Sequence, residues 1–381
     1  MAVEIEDTHK DMFCSKVVTD VDSNISELER QLDRLEKQVI EVEEMKWEEI
    51  ELILSGLSED RDKQLYGRVC YYAAYYMLCA GRSEEVIQYL NESVRCLLGT
   101  NEVRELARCY NMLGIIAHSQ NNLTLAMEQY EKALTYAGEY QDKAIYNGVL
   151  SNMAEAYYRL GVYEKAVSCY EECLGNYQDI TPSYARAVIN YRKALASYGY
   201  CLVRIEKVEE ATAIADRILG MSCDRNCELA TRLGTYTFLA FLYHKRKEPS
   251  REELATKVAV DVALNMEQVI SEFDEVLNLV LFLSLTKRMS YLREILPSLE
   301  AKAVEEQNGG FLLQLLLIHM NDCSDDMEPD EFRRNAQSFL QVKQECDKIE
   351  NAQSIRLLEL RNRIYQMEEE QKVLEETNSK L

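Results

Sequence analysis

The chain has 381 residues, of which only 14 are glycine and 4 proline. That is too few to punctuate the strands of a sandwich, barrel, propeller or doubly wound sheet, which leaves an all-helical chain with short connections. A net charge of −23, from 43 Lys+Arg against 66 Asp+Glu, disfavours nucleic acid and acidic membrane surfaces as partners, and 47% apolar residues exclude wholesale disorder.

The first residues, Met-Ala-Val-Glu-Ile-Glu-Asp, lack the apolar stretch of a signal peptide. The apolar runs around Val276–Leu285 and Phe311–Ile318 are shorter than the ~20 residues of a spanning helix, so a soluble cytoplasmic protein is expected. From Asn24 to Leu57, Ile25, Leu28, Leu32, Leu35, Val39 and Val42 recur at spacings of three and four, which predicts one long amphipathic helix. Residues 1–60 are read as a capping helix, with self-association as the alternative.

Residues 110–134 and 150–174 align as two copies of one unit. The first copy carries Leu113, Gly114, Ala126, Tyr130 and Ala133; the second carries Met153, Ala154, Tyr157, Gly161, Tyr163, Ala166 and Tyr170. This pattern resembles the tetratricopeptide repeat (TPR), a helix–turn–helix unit. Small residues at Gly114/Ala154 and Ala126/Ala166 let the helices of a unit approach closely, and the tyrosines are expected to fill the gap to the neighbouring unit. Weaker copies flank these two, and the small positions Val86, Ala126, Ala166, Ala211 and Ala255 lie 40, 40, 45 and 44 residues apart. The usual repeat is 34 residues and ends in proline; longer helices without proline stops explain both departures. Residues 61–328 are therefore expected to form an α-solenoid of about six TPR-like helical hairpins. Its later helices are predicted at Glu228–Arg246, Glu252–Asn265, Ser271–Thr286, Met289–Val304 and Gly310–Asn321, with breaks at Pro249, Thr286–Ser290 and Asn308–Gly310.

Pro329, Asp330 and Glu331 make a helix start, and no breaker follows. Residues 329–381 are read as one long helix that ends in a parallel coiled-coil stalk. Leu357, Ile364, Gln371 and Asn378 occupy a positions and Leu360, Met367, Leu374 and Leu381 d positions, a stripe suited to a homodimer seam. Packing of this helix back on the repeats is the alternative. Residues 367–381 resemble the signalling helix that precedes the GGDEF domain in bacterial TPR-linked diguanylate cyclases. That resemblance implies a sensory half, whose full-length protein carries a cyclase after Leu381. Neither Asp-x-Leu-Thr-Gly-Leu nor a GGDEF motif occurs in these 381 residues.

No catalytic constellation is found: GxGxxG, GxxxxGK, GxSxG and HExxH are missing, so the chain is not expected to be an enzyme. No cofactor is implied. The cysteines, including Cys70, Cys79, Cys109, Cys169 and Cys201, fall in apolar-periodic segments and read as small core residues. Cys169/Cys173 and Cys223/Cys227 lack a zinc-site pattern, and the acidic segment Asp322–Asp326 lacks the glycine of a calcium loop. Binding is the better reading. In tetratricopeptide proteins the first helices line a concave groove, and the matching positions here are Arg108, Asn111, His118, Asn152, Glu155, Tyr158 and Arg159. The asparagines suit the backbone of an extended peptide and the arginines suit a carboxylate. A groove that binds a peptide or protein and controls an output domain through the stalk is the first reading. A stand-alone peptide receptor or scaffold, like the tetratricopeptide quorum-sensing regulators, is the second.

Overall fold

The computed structural model describes residues 26–41, 43–57, 62–80, 83–119, 122–140, 142–177, 185–221, 229–266, 273–306, 309–323 and 327–378. All regular elements among them are helices. They are α1 (26–41), α2 (Trp47–Gly56), α3 (Lys63–Cys79), α4 (Ser83–Leu97), α5 (Val103–Ser119), α6 (Leu123–Tyr140), α7 (Lys143–Arg159) and α8 (Tyr163–Tyr177). Then come α9 (Ala185–Arg204), α10 (Val208–Gly220), α11 (Leu229–Lys245), α12 (Pro249–Asn265), α13 (Phe273–Leu285), α14 (Met289–Glu305), α15 (Gly309–Asp322) and α16 (Pro329–Asn378). Two compact units result: residues 1–109 with 184–186 and 360–381, and residues 110–183 with 187–359.

In the first unit the expected single N-terminal helix is two helices. The chain leaves the helix at 43–46, where Lys46 is extended (φ −113°, ψ 134°). Leu28, Leu32 and Leu35 are buried on α1, as are Ile50 and Ile53 on α2. Gly56 lies beside Leu28, and Arg34 meets Glu49 at 3.4 Å, so the two helices run antiparallel. Burial of both apolar faces in one hairpin overrides a continuous helix, in keeping with tertiary packing as the main source of helix stability. Ile25 and Val42 lie outside the described residues. Trp47 packs against Tyr76 of α3 and Tyr89 of α4, with ring centroids 5.7 and 6.0 Å apart.

In the second unit, hairpins α7/α8, α9/α10, α11/α12 and α13/α14 share one turn. Gly161, Glu206, Lys247 and Lys287 have φ of 72°, 63°, 57° and 56°. The amide after each reaches back to the carbonyl five residues earlier, Val162 to Tyr157, Lys207 to Leu202, Glu248 to Tyr243 and Arg288 to Leu283, all at 2.9 Å. This is the Schellman closure, whose left-handed residue is usually glycine. Three of the four carry a Cβ there instead, at a cost of roughly 1 kcal/mol each. Glu206→Gly, Lys247→Gly and Lys287→Gly are therefore expected to raise stability, less the entropy glycine adds to the unfolded chain. Unfolding midpoints in urea check this; a triple variant less stable than the parent would contradict it.

The core of this unit includes an aromatic ladder across α7, α9, α11 and α13. Tyr158 meets Tyr200 edge-on at 5.7 Å, Tyr200 stacks on Phe241 at 5.1 Å, and Phe241 meets Phe282 edge-on at 5.9 Å. The tyrosines of the aligned repeats act partly within their own hairpin, contrary to the expectation that they fill the gap to the next. The Tyr130 ring of α6 lies over Gly114 of α5, leaving no space for a Cβ, and Tyr130 is fully buried. Tyr170 does both, donating to Glu155 within its hairpin and packing on Tyr198 of α9.

The breaks expected in the later repeats are realised with two changes. Pro249 opens α12 at its first turn, where its missing N–H costs nothing. Gly309 and Gly310 open α15 and do not form a loop. A Cβ on Gly309 would collide with Cys346 Sγ of α16, so glycine permits the close approach of these two helices. α16 is one 50-residue helix, and its Phe339 and Val342 pack against the repeat core. This part of the helix is thus packed on the repeats. Ile364 is 2% exposed within the single chain. The side chains of Leu357, Leu360, Met367, Gln371, Leu374 and Asn378, and all of Leu381, lie outside the described residues.

No helix among the described residues is long and apolar enough to cross a membrane. Cys70, Cys96, Cys109, Cys173 and Cys201 are buried, and desolvation pushes Cys109 and Cys173 up to about 12. Cys79 is exposed and Cys169 is partly so, against the core reading of both. Cys223 and Cys227 lie outside the described residues.

Candidate functional site

Four of the seven expected groove residues, Asn152, Glu155, Tyr158 and Arg159, lie on α7. The helix start is fixed by Asp142, whose carboxylate accepts from the Ala144 and Ile145 amides, each at 3.0 Å. Spacings of three and four then align Asn152, Glu155 and Arg159 along one face. Asn152 Nδ2 donates to Asn111 Oδ1 on α5 at 2.9 Å. Linked this way, the pair still offers the Asn111 Nδ2 group as a donor and Asn152 Oδ1 as an acceptor. Together these complement a peptide group.

Glu155 receives a hydrogen bond from the Tyr170 hydroxyl at 3.2 Å. Desolvation, with the Asp274 carboxylate second, raises it to about 7. Arg159 Nε stands 3.9 Å from Asp274 Oδ1, so the carboxylate expected for this arginine belongs to the protein itself. Tyr158 donates to Asn278 Oδ1 at 3.4 Å. His118 is 8% exposed, and burial, then the Arg159 charge, lowers it to about 4; its imidazole is neutral.

Arg108 is not placed with this set. Its guanidinium donates to Glu36 at 3.0 Å and to the Tyr72 hydroxyl at 3.1 Å, and lies over the Tyr71 ring, all within the first unit. Its carboxylate partner is internal and 72 residues away in sequence, out of reach of a local reading. A buried, hydrogen-bonded pair of this kind holds structure and is not available to a ligand.

The second unit contains a cavity of about 200 Å³ lined by α7, α8, α9, α11 and α13. Asn152 and Glu155 line it, and the structure adds Lys193, Tyr200, Thr231, Thr237, Asp274 and Asn278, which sequence reasoning did not find. Their repeats align too weakly to project groove positions. The aromatic recurrence at Tyr200, Phe241 and Phe282, 41 residues apart, is the signal that could have aligned them. Among the described residues no group of three or more His, Cys, Asp or Glu could hold a metal ion.

A family model described as soluble NSF attachment protein, SNAP, matches residues 58–197. Among solved structures, a Rap protein complexed with Competence and Sporulation Factor has a TM-score of 0.59 and 16% identity, covering 91% of this chain and 98% of that chain. The apo form of the quorum sensor NprR from B. thuringiensis has a TM-score of 0.53 and 16% identity, covering 93% and 99%. The chain has a TPR-like helical-repeat fold. NprR in complex with its cognate peptide NprX is similar at 0.53 and 16%, covering 84% of this TPR-like chain and 89% of that one. No curated protein matches the chain. At these identities the likeness is one of fold.

Proposed function

We propose that this chain is a peptide receptor that acts by binding and not by catalysis. The observation that carries the reading is the linked Asn111–Asn152 pair beside a cavity lined by successive first helices, which leaves a donor and an acceptor for an extended backbone. The TPR-like fold shared with NprR in complex with its cognate peptide NprX supports it. Selection from a displayed library of random short peptides tests it. Selected peptides should bind the parent protein and lose about tenfold in affinity, roughly one net hydrogen bond, with Asn152→Ala. No selectable peptide, or affinity indifferent to Asn152, would rule out a groove receptor.

A finer reading adds an output domain, such as a diguanylate cyclase, driven by a dimeric stalk. The unbroken length of α16 favours it, whereas burial of Ile364 within one chain argues against a seam through that position. Leu360→Cys should form a disulfide-linked dimer under oxidation if the stalk is parallel, and a monomer under those conditions excludes it.

A further inference from the structure

The cavity in the second unit is below the roughly 300–1,000 Å³ of sites for drug-sized molecules, and its 200 Å³ suits a single small group. Its wall is unevenly charged. Glu155, Asp274 and Glu275 line it with one lysine, Lys193, while Arg159 meets Asp274 from outside the lining. Glu155 has a hydroxyl hydrogen bond from Tyr170 and no ion-pair partner among the described residues.

The floor supplies an independent observation. Thr231 and Thr237 line the same cavity at 3% and 1% exposure, and neither hydroxyl has a hydrogen-bond partner among the described residues. A buried hydroxyl without a partner has given up its hydrogen bonds to water and gained none in return, so a ligand that bonds to it recovers that loss. An anion entering here would meet a lining with three carboxylates against one lysine, and an alkyl group would leave the Thr231 and Thr237 hydroxyls unsatisfied. A group with several N–H donors and a positive charge satisfies both, because hydroxyl and carboxylate oxygens all accept.

The geometry points to a binding site for an organic cation, an ammonium or guanidinium on a short alkyl chain, held by Glu155 and Asp274 with Thr231 and Thr237 beneath. The inference stands apart from the peptide reading, since the same group can arrive free or as the lysine or arginine side chain of a peptide.

Titration with n-butylguanidinium and n-butylammonium, followed by the amide resonances of Thr231 and Thr237, tests the site. The cations should shift both resonances saturably and n-pentanol should not. Glu155→Gln should weaken binding about tenfold, with Glu139→Gln, an exposed change on α6, as the unaffected control. Thr237→Val should also weaken it while leaving the melting temperature equal or higher, which separates lost recognition from lost folding. Equal binding of n-pentanol, indifference to Glu155→Gln, or no shift with either cation overturns the proposal. N-acetyl-arginine methylamide distinguishes the sources: binding tighter than n-butylguanidinium assigns a peptide side chain, and weaker binding assigns a free cation. A cavity that takes the cations in a protein that selects no peptide would remove the receptor reading alone.

Discussion

Gly114→Ala destabilises the protein by about 2 kcal/mol, although alanine is the better helix former. The new Cβ falls on the ring of Tyr130, which is fully buried and has nowhere to move. Overpacking of this kind costs roughly 1–3 kcal/mol, sometimes more, and the propensity gain of up to ~1 kcal/mol offsets only part of it. Gly138→Ala is the matched control. It lies on α6 with nothing within 4 Å of the added carbon, so only the propensity gain remains and the protein becomes slightly more stable. Urea unfolding of both variants checks the pair. A shorter residue at the clash point, as in Gly114→Ala combined with Tyr130→Leu, should recover part of the loss, because residues in direct contact are energetically coupled. Equal effects of the two glycine substitutions would show that the close approach of α5 and α6 is not needed.

The second large effect is electrostatic. Glu155 titrates near 7 when folded against an ordinary value of 4.5, so its folded form binds the proton more tightly than the unfolded form. Its contribution is therefore fully present below pH 4.5 and is lost as pH rises through 7, by up to about 3 kcal/mol. His118 has the opposite sign. Its folded value, about 4 against 6.5, means that stability is present above pH 6.5 and lost as pH falls towards 4. In the parent the two slopes oppose one another. Glu155→Gln should be increasingly more stable than the parent from pH 4.5 to above 7, and His118→Gln increasingly more stable from pH 6.5 down to 4. Thermal melts across this range measure both differences. A Glu155→Gln difference that does not change with pH would mean that the carboxyl titrates normally despite its burial beside Asp274.

What could be read from the sequence follows from where each signal resides. The aligned copies at 110–134 and 150–174 were legible because helix contact demands small residues at fixed offsets, and the later helices because Pro249 and the Thr286–Ser290 break interrupt them. The break between α1 and α2 was not legible as such, since the acidic, helix-favouring run Glu41–Glu44 shows no stop residue. The stripe that ends at Val42 and resumes at Trp47 was its trace. The hairpin turns were hidden for a similar reason: Glu206, Lys247 and Lys287 adopt a conformation that a reader assigns to glycine. At the site, Asn152 and Glu155 followed from the best-preserved repeat. Thr231 and Asp274 sit in repeats that align only weakly with the copies at 110–134 and 150–174, so the groove could not be extended to them. Arg108 was misread because charge alone does not reveal a distant internal partner such as Glu36.

The aromatic ladder from Tyr158 through Tyr200 and Phe241 to Phe282 has a consequence for how such a sequence can diverge. The two inner rings each contact a ring on either side, so an enlarged or truncated ring at one rung alters the space of two others. Substitutions there are expected to come in compensating pairs on adjacent repeats, 41 or 42 residues apart, while the small residues between them drift singly. In descendants of this chain, correlated change along the ladder would outlast the repeat motif itself.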